Sequence, residues 1–227
     1  MKSSWVNHFF LITLLIISQS SLAGVIVGGT RVIYDGSKRE VSLSVKNPEK
    51  TAPYLIQSWI EKETQPGTGK APFVITPPLF RLDAGQENLL RIIRTGEDHL
   101  PEDRETVFWL NIKSIPSSEK SDKNQLQITV RTRIKLFYRP ASLKDKKAEE
   151  AYKSLVLNRT NNILQIKNPT PFYISFYSLK IDGKEIKEAP MIAPGATQHY
   201  QVNGSGNATW QAINDFGGIT PPASATF

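Results

Sequence analysis

One segment near the middle of the sequence alternates apolar with polar or cationic side chains, and these residue types are suited to binding another protein. The aliphatic residues share one parity, and the cations share the other: Leu126, Ile128, Val130, Ile134 and Leu136 against Gln127, Thr129, Arg131, Arg133 and Lys135. Successive side chains of a β-strand point to opposite faces, so one face is an aliphatic row. That row either packs in the protein's own core or, on an edge strand, offers Leu126, Ile128 and Val130 to another protein's open groove. Periodicity alone does not decide between these interpretations.

Residues suited to catalysis or metal binding are sparse and unpatterned. The chain has no cysteine, which excludes a thiolate nucleophile and a zinc–sulfur site. After the N-terminal segment the histidines are His99 and His199, and neither has a second ligand at a metal-binding spacing. No spacing of Asp and Glu selects an acid–base pair. The sequence therefore predicts a protein that binds without catalysis, with no metal and no cofactor.

Short β-rich runs separated by turn residues must position the alternating segment. In the first half of the chain they cover residues 25–27, 32–34, 41–45, 54–60, 89–93, 106–112 and 125–138. No long helical period occurs, and Pro77 and Pro78 cannot lie inside a central strand because proline lacks the amide donor. Seven short alternating strands are typical of an immunoglobulin-like β-sandwich.

The β pattern breaks after Pro140, where a charged stretch predicts a linker over residues 142–152. Further β-rich runs follow at residues 155–157, 163–167, 173–181, 198–202 and 208–213, with Asp182-Gly183 as a hairpin turn. The prediction is an all-β fold with two tandem sandwich domains, at residues 24–141 and 153–227.

The first 23 residues predict a signal peptide that is cleaved after Ala23. Lys2 precedes a nine-residue apolar run, Phe9 to Ile17, which is shorter than the roughly 20 residues that a membrane-spanning helix needs. Cleavage leaves 204 of the 227 residues, with 27 basic and 21 acidic side chains and a net charge of +6. We expect no membrane insertion, and export argues against a nucleic-acid partner for this basic chain.

Four segments of the sequence resemble the PapD-like periplasmic pilus chaperones. They are residues 30–36 (TRVIYDG), 100–116 (LPEDRETVFWLNIKSIP), 134–140 (IKLFYRP) and 213–218 (INDFGG). The resemblance implies a periplasmic protein whose two domains are set at an angle with a cleft between them. It also implies a function: such chaperones bind, fold and cap pilus subunits, both pilins and adhesins, by donor-strand complementation, and deliver them to an outer-membrane usher.

The resemblance implies that Arg31 and Lys135 bind the C-terminal carboxylate of the subunit, and that Leu126, Ile128 and Val130 belong to the donor strand. A planar guanidinium and a mobile ammonium suit one carboxylate. Lys135, however, has the opposite parity from the aliphatic row. A bulge or strong twist between Val130 and Lys135 is one way to present both to a client.

Three further positions match family residues whose charges meet between the domains. They are Glu105, Arg139 and Asp215, which the resemblance implies form interdomain salt bridges. Because exposed ion pairs contribute only about 0–1 kcal/mol, we expect them to set the angle between the domains more than the stability. The short polar segment 117–124 is similar to the short-loop branch of the family.

Two other functions fit a β-rich chain. A structural or adhesive pilus subunit also has immunoglobulin-like domains. Such a subunit is expected to lack a strand and to end in a pilin motif, and the sequence shows neither feature. A carbohydrate-binding sandwich could use Trp59, Trp109 or Trp210 as a stacking platform, although their strand patterns favour core packing. The sequence leaves open which pilus is served and whether the free protein self-associates.

Overall fold

The protein is described by a computed structural model that covers residues 24–63, 71–96, 99–118, 124, 126–144 and 146–227. The predicted signal peptide and most of the predicted short loop lie outside these residues. Within them, no helix has the length and apolar character needed to cross a membrane.

The N-terminal part is a sandwich of two sheets. Its strands are β1 (Ile26–Val27), β2 (Arg31–Asp35), β3 (Glu40–Lys46), β4 (Tyr54–Lys62), β5 (Phe73–Thr76), β6 (Leu79–Leu82), β7 (Glu87–Arg94), β8 (Thr106–Pro116) and β9 (Val130–Arg139). One sheet has the order β1-β3-β7-β5 and the other the order β2-β9-β8-β4-β6. Inward residues of both sheets form one core, in which Tyr34, Phe73 and Phe108 pack edge to face.

The chain changes sheets between β1 and β2, and Gly28 permits this crossing. The Gly28 N–H donates to the Ser44 carbonyl oxygen at 2.9 Å, and a Cβ at Gly28 would overlap the Ser44 hydroxyl. Because the first strand leaves one sheet before joining the other, β2 begins only at Arg31. The residue at which β2 begins determines how many residues of β9 it can pair with.

A second sandwich follows two short 3₁₀ helices, Ala141–Leu143 and Ala148–Ser154. Its strands are β10 (Val156–Thr160), β11 (Ile163–Lys167), β12 (Phe176–Ile181), β13 (Lys184–Glu185), β14 (Thr197–Gln201), β15 (Asn207–Ala212) and β16 (Ala223–Thr226), in sheets β10-β11-β14 and β13-β12-β15-β16. Its own core includes Tyr152, the last residue of the predicted linker, and Trp210, whose Nε1–H donates to the Tyr152 carbonyl at 2.9 Å.

The described structure is the predicted all-β fold with two sandwich domains, and it contains strands that the sequence pattern did not reveal. These are β5, β6 and β16, each of four residues, too short for alternation to be recognised, whereas β13 pairs with β12 across the predicted Asp182-Gly183 hairpin. The strand predicted over residues 125–138 begins at Val130, and Leu126 to Thr129 lie outside any strand. The aliphatic pattern therefore continues beyond the end of the hydrogen-bonded ladder.

Candidate functional site

Strand β9 has an uncovered edge along its first half. On one side it pairs with β8 from Ser114↔Val130 to Thr106↔Tyr138, that is, over nine of its ten residues. On the other side β2 pairs with it in parallel, but only from Arg31↔Lys135 to Asp35↔Arg139. Among the described residues, no strand pairs with the β2-side edge of residues 130–134. This edge therefore offers free backbone donors and acceptors to an added strand.

The aliphatic row of this segment is divided between core and surface. Ile134 and Leu136 are 7% and 0% exposed in the N-terminal core, whereas Val130, Ile128 and Leu126 are 51%, 67% and 89% exposed. Exposure thus rises steadily as the segment extends past the opposite sheet. Three neighbouring aliphatic side chains beside a free edge form a surface suited to an apolar groove.

The bulge considered between Val130 and Lys135 is absent. The pairing of β9 with β8 keeps one register throughout, so Val130 and Lys135 point to opposite faces as strict alternation requires. The segment before Val130 also stays beside β8, because Gln127 Nε2 donates to the Pro116 carbonyl at 2.7 Å, at the end of that strand. Any ligand that contacts both Lys135 and the aliphatic row must therefore reach both faces of β9.

Arg31 and Lys135 lie side by side where the free edge ends. They are registered partners in the parallel β2–β9 pair, on the face turned away from the N-terminal core. The Arg31 Nη1–H donates to the Ile213 carbonyl of the second domain at 2.9 Å, and the buried Arg31 Nε has no hydrogen-bond partner in the described part of the chain. Neither residue forms an ion pair with a described carboxylate.

The electrostatics of this cationic pair favour an anion. Burial lowers the pKa of the Lys135 ammonium, and the neighbouring Arg31 charge lowers it further. Burial also lowers the pKa of the Arg31 guanidinium, while Asp215 and Glu105 act in the opposite direction. Two half-buried like charges that form no salt bridge with a described carboxylate are unfavourable next to each other, and a carboxylate between them would offset both the desolvation and the repulsion.

A second charged group joins the two domains. Arg139 Nε–H donates to Glu105 Oε1 at 2.8 Å, and its Nη1 and Nη2 donate to Asp215 at 2.8 and 2.9 Å. The Glu105 Oε2 also accepts from the Tyr173 N–H at 2.8 Å. Burial raises the pKa of the Glu105 carboxyl, and the Arg139 charge partly offsets this. Unlike the exposed ion pairs considered from sequence, the Glu105–Arg139 pair is buried.

We expect Arg139→Met to lower the free energy of unfolding by about 3 kcal/mol, because it leaves the buried Glu105 carboxylate without its charged partner. Asp215→Asn is the matched control: Asp215 is one-third exposed, and its loss should cost less than about 1 kcal/mol. Urea unfolding followed by tryptophan fluorescence measures both. Equal effects of the two substitutions would contradict the buried-pair account.

The tryptophans do not all pack as predicted. Trp210 is buried in the second core, but Trp59 and Trp109 are half-buried on the outer face of the five-stranded sheet, so the core packing favoured for them is wrong. Their ring faces are not open platforms either. Arg131 lies over Trp59 and Arg133 over Trp109, with guanidinium carbons 5.5 and 4.1 Å from the ring centroids. No cluster of metal-ligating side chains occurs in the described ranges.

Comparisons with known proteins agree with these features. Residues 24–144 match the family described as "Pili and flagellar-assembly chaperone, PapD N-terminal domain", and residues 150–224 match "Pili assembly chaperone PapD, C-terminal domain". The chain is 47% identical over 224 residues to the probable fimbrial chaperone LpfB of Escherichia coli O157:H7, covering 96% of this chain and 94% of that protein.

Two solved chaperone structures are also similar to this chain. The chaperone DraB of E. coli is 39% identical with a TM-score of 0.76, covering 89% of this chain and 95% of that one. A structure of the Salmonella enterica SafA pilin in complex with the SafB chaperone matches with 36% identity and a TM-score of 0.80, covering 92% of this chain and 99% of that one.

Proposed function

The chain belongs to the PapD family of pilus-assembly chaperones, and we propose that it holds a pilus subunit by lending strand β9 and by binding the subunit's C-terminal carboxylate between Arg31 and Lys135. The observation that carries this proposal is the coincidence of the two cations with the end of the free edge of β9. The alternative of a pilus subunit is contradicted, because both halves of the chain match chaperone domains. The proposal involves no catalytic step.

The geometry gives the added strand a direction. A client strand on the free edge of β9 lies in line with β2, and it ends where β2 begins. If its terminal carboxylate meets Arg31 and Lys135 there, the strand runs towards Arg31 and is therefore parallel to β9, as β2 is. Residues 130–134 provide five residues of free edge, about 17 Å of strand at roughly 3.3 Å per residue, and a client that also pairs with residues 126–129 would lengthen this ladder.

This arrangement also accounts for the opposite parity of Lys135 and the aliphatic row. A strand added at an edge lies in the plane of the sheet, so side chains on either face of β9 can reach it. The long stem of Lys135 can reach a carboxylate in that plane from one face. Leu126, Ile128 and Val130 project from the other face into the client's incomplete core. No bulge is required.

The wider proposal follows from the family. The protein acts in the periplasm after removal of residues 1–23, caps pilins or adhesins, and delivers them to an outer-membrane usher. Its domains are divided near residues 141 and 153, and Glu105, Arg139 and Asp215 set the angle between them. An aliphatic edge is normally an aggregation hazard, and its use in binding apolar subunits explains why this protein retains one.

The test is recovery of partners from periplasmic extracts. We expect the tagged protein, produced with the pilus genes of its host, to recover pilus subunits that mass spectrometry identifies. Lys180→Ala, which replaces an exposed lysine of β12 beside the Asp182-Gly183 hairpin, should recover the same subunits. If the protein recovers no pilus subunit while the extract contains them, the proposed function is wrong.

A further inference from the structure

The outer face of the five-stranded sheet carries an ordered set of cations and aromatic rings next to the free edge. Strand β9 presents Arg131, Arg133 and Lys135 on this face, and the neighbouring strands β8 and β4 present Trp109 and Trp59. The cations are residues of the donor strand itself. Their conformation therefore bears on whether a client strand can approach.

The cationic side chains lie over the indoles. The guanidinium carbon of Arg133 is 4.1 Å from the Trp109 ring centroid, and that of Arg131 is 5.5 Å from the Trp59 centroid. The Lys135 ammonium is 5.9 Å from the Trp109 centroid. All three distances fall within the roughly 6 Å at which a cation is attracted to a ring face, with tryptophan the strongest partner.

The direction of these contacts is the informative feature. The sheet order is β2-β9-β8-β4, so both tryptophans lie on the β8 side of β9 and the free edge lies on the β2 side. Arg133 leans onto β8, and Arg131 reaches across β8 to β4. Both arginines therefore extend away from the edge that is free to pair.

A different orientation would obstruct that edge. Adjacent strands are about 4.8 Å apart, and an extended arginine side chain is longer than this spacing, so it can fold over an edge. Charged side chains at edges are a common device by which proteins prevent strand addition. Arg131 and Arg133 would have that effect if nothing held them on the β8 side.

The Trp59 indole is itself held in place. Its Nε1–H donates to Glu61 Oε1 at 2.6 Å, and Glu61 is only 7% exposed despite its charge. Next to Trp109, the fully buried Asn111 donates from Nδ2 to the Trp109 carbonyl oxygen at 3.2 Å. The Trp59 ring is thus held by a hydrogen bond within β4 that does not involve the arginines, and the Asn111 bond fixes the main chain of β8 at Trp109.

We propose that Trp59 and Trp109 are positioning residues that hold Arg131 and Arg133 across the sheet, which leaves the edge of β9 from Val130 to Ile134 open to a client strand. The strand thereby keeps the charges that maintain its solubility without blocking its own edge. This inference rests on the proposed function, because it concerns the access of the client strand to β9.

The experiment measures binding of a fluorescein-labelled 12-residue peptide in which valine alternates with serine and which ends in a free carboxylate. Fluorescence anisotropy in about 0.15 M salt gives the Kd. Replacing both rings, Trp59→Leu with Trp109→Leu, is expected to weaken binding about fivefold, since each ring contributes a modest preference. Trp59→Phe with Trp109→Phe retains ring faces and should stay within about twofold of wild type.

The decisive variant combines the leucine pair with Arg131→Gln and Arg133→Gln. With no guanidinium left to cover the edge, binding should return to within about twofold of the wild-type value. A purely structural role for the tryptophans predicts no such rescue. The inference is overturned if the leucine pair binds like wild type, or if the four-residue variant binds as weakly as the leucine pair.

A variant in which only the two arginines are replaced tests the inference if the leucine variants do not fold. Arg131→Gln with Arg133→Gln replaces two exposed side chains and should leave binding unchanged, because the edge is already open. A fivefold loss from this pair would mean that the arginines contact the client directly, which contradicts the inference. Failure of the wild-type protein to bind the peptide would instead contradict the proposed function.

Discussion

Ile128→Asp is expected to weaken client binding by at least about 100-fold and to leave the chaperone folded. Ile128 is 67% exposed and lies outside any strand, so the free protein does not depend on it. In the complex its side chain would be buried with those of Leu126 and Val130. Each is worth about 1.5–3 kcal/mol, roughly 5–9 kcal/mol together before ordering costs.

The aspartate has two unfavourable effects. It removes one of these apolar contributions, and it places a carboxylate in an apolar groove, which costs several kcal/mol more. A loss of about 2.7 kcal/mol is already a 100-fold change in Kd. Co-production with a pilus subunit measures the result as the amount of intact subunit recovered with the chaperone.

Thr129→Asp is the matched control. It introduces the same charge one residue further along, at an exposed position of the opposite parity. We expect a small effect, because that side chain faces away from the groove. If both substitutions eliminate subunit recovery, the loss comes from the added charge and not from the aliphatic row.

Lys135→Met is expected to weaken binding of a subunit by about 10- to 100-fold, the equivalent of one charge-assisted hydrogen bond of roughly 1.5–3 kcal/mol. Methionine keeps much of the lysine stem, so the sheet should be undisturbed. Arg31→Ala should have at least as large an effect, but it also removes the hydrogen bond to Ile213 that joins the two domains. Lys135 is therefore the more specific test.

A peptide with an amidated C-terminus separates the anchor from general electrostatics. Wild type should bind the amide about as weakly as Lys135→Met binds the free acid, and the variant should not distinguish the two peptides. Lys113→Met removes a charge from the same face of β8 and serves as the control. If it matches Lys135→Met, long-range attraction and not a carboxylate anchor explains the loss.

The pH dependence of binding should follow the lowered pKa of Lys135. Only the protonated ammonium attracts a carboxylate, so, while the carboxylate stays ionised, the affinity is constant below the Lys135 pKa and falls as the pH rises through it. Because burial and Arg31 lower this pKa, the fall should begin at a lower pH than for an ordinary lysine. Lys135→Arg, which stays charged, should bind with little change over the same range, and a decline identical to wild type would contradict this assignment.

Local patterns in the sequence were sufficient for several of these features. The alternation over residues 126–136 identified the aliphatic row, because the two-residue period of a strand is a property of the backbone itself. Turn residues and the charged stretch after Pro140 indicated two β-sandwiches. Resemblance supplied the client and the roles of Arg31 and Lys135, which periodicity does not contain.

Only the tertiary structure divided the row between core and surface and revealed the free edge. Ile134 is buried and Val130 exposed, although both have the same residue class and parity, because the opposite sheet covers only one of them. Similarly, β2 stops short of Ile134 because the chain crosses between sheets at Gly28, and the stacking of Arg133 on Trp109 depends on the register of β8 and β9. These features arise from pairing between segments far apart in the chain, and side-chain alternation within one segment carries no information about which strand will lie beside it or where that strand begins.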